Sequence, residues 1–242
     1  MLRKIYHLIL ISLVLLFNSC NSSEEGKSKI SIGFSQSINN DIWRKSMDHA
    51  MEVEASLHPE VSLTIYNANR KAKNQIRDID NMIEQNVDVI IVAPYESDSI
   101  VPVIEKARAK GIPVIIVDRK ANTSEYTSFL GADNLEVGRL AGKHIASKSN
   151  GHANVIEING DLKTSPGLER SLGFKQIVKQ YPGIKVITID SDDFGHPKEN
   201  YIKLLDSLPN IDFIYGFNDM IAYNAWKIAK NKDLEKKIKF IG

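Results

Sequence analysis

From Lys29 onward the chain is a succession of short, continuous apolar runs, each followed by a longer stretch with apolar residues every three to four positions. The runs at 30–34, 61–66, 89–92, 114–117, 155–158, 186–189, 213–215 and 238–241, with a shorter one at 126–130, have the length and β-branched content of strands. Being apolar without alternation, they read as strands covered on both faces, as in a parallel sheet. Between them Met47, Met51, Val53 and Leu57, then Ile76, Ile79 and Ile83, then Ile100, Ile104 and Ala107 keep the helical period. Pro113 and Pro182 fall just past helix ends, where a residue that cannot continue the helix stops it. Strand and helix in alternation predict an α/β fold of parallel strands with crossover helices.

The beginning of the chain breaks this pattern. Arg3 and Lys4 supply a positive flank, residues 5–17 are almost wholly apolar, and Asn18, Ser19 and Cys20 follow, which reads as an export signal. The apolar run is short against the roughly 20 residues of a bilayer span. Cys20 is the only cysteine, so no disulfide can form within the chain. Its position resembles that of the acylated cysteine of a bacterial lipoprotein, although Phe17, Asn18 and Ser19 depart from the usual Leu-Ala-Gly approach. Lipidation at Cys20 and an uncleaved anchor both remain open, and residues 21–29, polar and small, suit a tether.

Composition narrows the function classes. With 242 residues, 43% hydrophobic and 25% charged, the chain has room for one large or two medium domains. Its 31 basic and 30 acidic side chains give a formal charge of +1, so no basic surface is set aside for phosphates, which argues against a nucleic-acid partner. The six histidines lack paired ligand spacing and, with one cysteine, give no metal site. No Gly-rich loop follows a strand, which argues against a nucleotide cofactor, and no cofactor is expected.

In such a fold ligands bind at the carboxyl ends of the strands, so the loops there carry the chemistry. After the first strand come Ser35 and Gln36 and then Asp41, Trp43 and Arg44. An indole face packs on the C–H face of a sugar ring while amides and guanidinium groups bond its hydroxyls; the alternative is a helix cap at Asn40 or Asp41 with Trp43 in the core. After the fourth strand, Asp118 and Arg119 offer a carboxylate and a guanidinium fork, each able to take two vicinal hydroxyls, or else a simple ion pair. The later loops bring Arg170 one turn inside a helix, Phe194 in an acidic segment, and Asn218 beside Asp219. Each has a plain alternative as a solvated helical arginine, a core aromatic and a helix cap. No serine, histidine and acid form a nucleophilic relay, so the set reads as binding rather than catalytic; a doubly wound enzyme is the outside alternative.

Gly33-Phe34-Ser35-Gln36 with Trp43-Arg44, Asp118-Arg119, Gly131-Ala132-Asp133-Asn134, Glu169-Arg170 with Gly173-Phe174, and Asn218-Asp219 together resemble the type I periplasmic sugar-binding proteins, in their ribose- and galactofuranose-binding branch. The likeness runs from about Ile30 to Gly242. It implies two doubly wound parallel-sheet lobes with a furanose or pyranose monosaccharide in the cleft between them. The sugar-binding residues it implies are Ser35, Gln36, Trp43, Arg44, Asp118, Arg119, Arg170, Phe194 and Asn218, with Gln36 matching the galactofuranose branch in particular. Ala93 before Pro94 replaces the asparagine of ribose binders, as in the galactofuranose branch. The expected organisation is a signal peptide or anchor at 1–19, a tether at 20–29, an N-terminal lobe at 30–131 and a C-terminal lobe at 132–242. That second lobe is expected to be incomplete, because the family continues into a ligand-binding aspartate beyond the strand ending at Gly242. The implied settings are a receptor serving a permease complex, or the sensor of a hybrid kinase lying downstream, held at the membrane by its anchor or a lipid.

Overall fold

The computed structural model describes residues 29–191, 199–208 and 210–242. The elements are β1 (Ile30–Gln36), α1 (Ile42–Ser56), β2 (Val61–Asn67), α2 (Ala72–Glu84), β3 (Val89–Ala93), α3 (Val101–Ala109), β4 (Val114–Val117), β5 (Ser128–Leu130), α4 (Asn134–Lys148), β6 (His152–Asn159), α5 (Ser165–Val178), β7 (Gly183–Asp190), α6 (Glu199–Ser207), β8 (Phe213–Gly216), α7 (Asp219–Lys230) and β9 (Lys239–Ile241). The export segment, Cys20 and Phe194 fall outside the described residues.

The strands form two parallel sheets, ordered β2-β1-β3-β4-β5 and β7-β6-β8-β9. Each apolar run of the sequence has become a strand, with the same ends for β4 and shifted ends elsewhere. β6 and β7 pair from His152 opposite Gly183 to Asn159 opposite Asp190, because the ladder joins backbone groups and continues through polar residues such as Glu157 and Lys185. β5 starts only at Ser128. Thr127 before it is held by two bonds to Val114: its N–H donates to the Val114 carbonyl (2.7 Å), and its hydroxyl accepts from the Val114 N–H (3.1 Å).

The two lobes are wound alike. In the first, the Ser31 N–H donates to the Asp88 carboxylate (2.8 Å) and the Asp88 N–H to the Ser31 carbonyl (2.9 Å), tying the start of β1 to the residue before β3. In the second, Asn154 and Asp212 do the same between β6 and β8, at 2.8 and 2.9 Å.

The lobes differ in how their sheets are covered. In the second, Ile145 of α4 and Phe174 and Val178 of α5 pack on Val155, Phe213 and Tyr215, while Tyr201 and Leu205 of α6 and Ile221 and Ala225 of α7 pack on Ile156, Ile158 and Ile214. In the first, Ile79, Met82 and Ile83 of α2 and Val103 and Ile104 of α3 bury Ile90, Val92, Val114 and Ile116 on one face. The other face holds Ile32, Ile91, Ile115 and Val117, all half-buried, with Leu130 59% exposed. Cover on this face is therefore uneven: Phe34, opposite Ile91 in the ladder, is completely buried, and α1 lies against β2. The apolar period of α1 is only weakly used, with Val53 46% and Leu57 68% exposed. The buried residue of α1 is a charged one, Arg44.

Candidate functional site

Arg44 enters the protein from the first turn of α1. Asp41 caps this helix by accepting from the Arg44 N–H (2.8 Å), which settles the choice between Asn40 and Asp41 as cap. Trp43 is not in the core: it is 54% exposed, and the Arg44 guanidinium carbon lies 5.4 Å from its ring centroid. Arg44 is 5% exposed as a residue, with Nη1 of its guanidinium donating to Gln36 Oε1 (2.7 Å) and Nη2 to Asp118 Oδ2 (2.6 Å). Gln36 is completely buried at the end of β1, and its Nε2 donates to Asp48 Oδ1 (2.9 Å). Ser35, also completely buried, presents no surface to the cleft, and its hydroxyl has no hydrogen-bond partner among the described residues.

Asp118 follows β4 with φ of 63°, a left-handed backbone that a residue with a Cβ adopts at a cost. Its N–H donates to the Leu130 carbonyl (2.8 Å), so the end of β5 helps hold the turn. Arg119 Nε lies 3.8 Å from the same carboxylate oxygen that Arg44 uses, and Arg119 Nη1 donates to the Tyr95 carbonyl at 3.3 Å. The adjacent pair read from the sequence is therefore the weaker of two ion pairs on Asp118. Burial, and secondarily the charge of Arg44, bring the Arg119 pKa down to about 10; Asp118 and Asp161 oppose the shift. Arg119 stays charged at neutral pH, and it feels a carboxylate from the opposite lobe.

In the second lobe Arg170 is half-buried on α5. Its Nε donates to Asn134 Oδ1 (2.9 Å), its Nη1 to the Phe217 carbonyl (2.9 Å), and its guanidinium carbon lies 4.7 Å from the Phe217 ring centroid. It is thus a placed side chain rather than a solvated one. The close crossing of α4 and α5 fixes this group: a Cβ on Gly138 would lie 2.0 Å from the Arg170 carbonyl oxygen, and one on Gly173 2.0 Å from that of Leu135. Only glycine permits that approach, which ties Asn134 and Arg170 into one unit. Asn218 caps α7 by accepting from the Ile221 N–H (2.9 Å), so its plain reading as a cap is correct, and Nδ2 is its remaining donor group.

The two halves meet. The Lys120 N–H donates to the Ser165 hydroxyl (2.7 Å), and Lys120 Nζ donates to Glu169 Oε1 (2.7 Å). Lys163 stands 3.7 Å from Glu96 across the same gap. Two residues of this region escaped the sequence reading. Asn134 lay inside a recognised motif without a role. Gln75, 1% exposed on α2, donates to the Ala93 carbonyl (2.9 Å) and accepts from the Tyr95 N–H (2.8 Å), holding the loop against which Arg119 bonds. A polar residue on the buried face of α2, beside Ile79 and Ile83, was the available signal.

Two parallel-sheet lobes with polar side chains gathered at facing carboxyl edges define a bilobal binding protein. The chain belongs to the periplasmic binding protein domain family, whose model matches residues 32–242. It is 30% identical over 94% of its length to the galactofuranose-binding protein YtfQ of Escherichia coli, covering 73% of that protein. Among solved structures it resembles the fructose-binding periplasmic domain of a hybrid two-component system, at 34% identity and a TM-score of 0.80, over 86% of this chain and 70% of the other. It also resembles the arabinose-transporter binding protein of Shewanella, bound to L-arabinofuranose, at 29% identity and a TM-score of 0.77, over 86% of this chain and 72% of the other. Its relatives are binding proteins rather than enzymes.

Proposed function

We propose that this chain binds a monosaccharide, in furanose or pyranose form, between its two lobes, which close over it. The observation that carries this reading is the pairing across the cleft. Asp118 lies between Arg44 and Arg119 on one edge, and Arg170, braced by Asn134 and stacked on Phe217, lies on the other. Charged groups with fixed geometry recognise vicinal hydroxyls in pairs, and Trp43, with half its surface free, supplies the flat apolar face a sugar ring requires. Asn218 adds a donor, and Phe194, outside the described residues, falls on the family's second-lobe aromatic position by resemblance. Ligand held by both lobes stabilises the closed form because only that form offers both sets of contacts.

Calorimetric titration of the full-length protein with ribose, fructose, galactose, arabinose and inositol tests this. Heat of binding is expected with at least one, and none with any of them would remove the sugar reading. Asp118→Ala should weaken the best ligand by at least about a hundredfold, since charge-assisted hydrogen bonds are worth about 1.5–3 kcal/mol each.

For the biological setting, similarity to the periplasmic domain of a hybrid two-component system supports a sensor domain that passes closure to a downstream kinase. Similarity to YtfQ and the Shewanella protein supports a receptor that delivers sugar to a permease complex. In either setting the amino-terminal apolar segment, or a lipid on Cys20, holds the domain at the outer face of the membrane. The native product separates the two: a sensor is recovered from membranes as a chain several times larger than this domain, a receptor at close to the domain's own size.

A further inference from the structure

Arg44 reaches Asp118 with one branch of its guanidinium while the other branch is bonded at the end of β1. Gln36 Oε1 accepts from that branch at 2.7 Å and from the Ser37 N–H at 3.2 Å, while Gln36 Nε2 donates to Asp48 at 2.9 Å. The orientation of this amide follows from chemistry. A guanidinium only donates, so the carbonyl must face Arg44; a carboxylate only accepts, so the NH2 must face Asp48. Turned over, the amide would set donor against donor and acceptor against acceptor. Asp48 stands four residues after Arg44, one turn along α1, so the two reach the end of β1 from one helix face.

We propose that Asp48 and Gln36 are positioning residues of the cleft: the Asp48 carboxylate locks the Gln36 amide, and the amide sets the Arg44 guanidinium plane that presents Asp118 to ligand. This rests on the sugar-binding reading above. The chain of bonds is carboxylate, amide, guanidinium, carboxylate, with Gln36 wholly buried and Arg44 nearly so. In such surroundings each bond polarises the next. Both arginine contacts to Asp118 fall on Oδ2, which leaves Oδ1 clear of either arginine. Gln36, which the family motif suggests as a direct sugar contact, acts through Arg44 instead.

The test exchanges the polarity of two positions without changing their shape. Gln36→Glu alone places two carboxylates head to head and should weaken sugar binding about tenfold, as should Asp48→Leu, which removes the acceptor. In the double variant Gln36→Glu, Asp48→Asn, the new amide at position 48 donates to the new carboxylate at position 36, and that carboxylate accepts from Arg44. Every bond returns, and affinity should recover to within about threefold of wild type. The Arg44 guanidinium nitrogen resonances, followed without sugar, give an independent readout. They should be sharp and resolved in wild type and the double variant, and exchange-broadened in both single variants. Equal affinities in Gln36→Glu and the double variant, or wild-type binding and spectra in Asp48→Leu, would overturn the proposal. A wild-type protein that binds none of the sugars removes the functional reading instead, while the arginine spectra still decide whether the relay exists. A single variant that fails to fold leaves the decision to the double variant.

Discussion

At the scale of single residues, several side chains of the proposed site also hold the protein together. Asn218 accepts from the Ile221 N–H through Oδ1, so its cap and its offered amide use different atoms. Asn218→Asp should therefore keep the helix cap while losing the donor. The melting temperature is expected to stay within about 2 °C, since aspartate caps as well as asparagine. Sugar affinity should fall about tenfold for the lost bond and the added charge; a matching fall in melting temperature would assign Asn218 to the cap alone. Asp118 and Arg119 were legible in the sequence because they are adjacent and follow an apolar run. The partnership of Asp118 with Arg44 was not, because it joins residues 74 positions apart and depends on how α1 docks on the sheet. A separation of 36 positions likewise concealed Arg170 with Asn134, which meet only where α4 and α5 cross.

At the scale of elements, each described strand could be read from the chain, since a strand inside a parallel sheet has few polar positions. What the runs could not show was coverage. The half-buried face of the first sheet has the same composition as the buried one, and cover is a property of neighbouring helices. A different signal was available and passed unread: Asn86-Val87-Asp88-Val89-Ile90 and Asn210-Ile211-Asp212-Phe213-Ile214 repeat one pattern, and each aspartate ties the start of its lobe's first strand to its third. The Ser31 hydroxyl and N–H hold the Asp88 carboxyl below its ordinary pKa. A depressed carboxylate contributes stability that is present above its unfolded pKa and lost as pH falls through the lower folded value. Asp88→Asn should accordingly lower the melting temperature at pH 7, with the difference from wild type closing as falling pH protonates Asp88 in the folded protein. A difference independent of pH would show that packing, not charge, carries the tie.

At the scale of the whole molecule, the contacts of Lys120 with Ser165 and Glu169 join the lobes through protein groups alone. In the proposed mechanism they favour the closed form before any ligand arrives. Lys120 and Glu169 are 43% and 21% exposed as side chains, so water screens the pair and its contribution is at most about 1 kcal/mol. Lys120→Met should raise the apparent dissociation constant about two- to fivefold by lowering the fraction of closed protein, without touching the sugar. Small-angle scattering without ligand should show a larger radius of gyration; an unchanged radius with weakened binding would place Lys120 in direct contact with the ligand.

The parallel winding of both lobes has an electrostatic consequence. A helix that joins two parallel strands of one sheet must start at their carboxyl edge, so α1, α2 and α3 in one lobe, and α5, α6 and α7 in the other, all begin on the side of the cleft. Each amino terminus carries roughly half a positive charge from its aligned peptide dipoles. The helix termini therefore add a positive contribution at the cleft beside those of Arg44, Arg119 and Arg170. Asp41, Asp118, Asp161 and Glu169, besides bonding their neighbours, offset that contribution, which suits the uncharged monosaccharide proposed as ligand over phosphate and other anions of the surrounding medium.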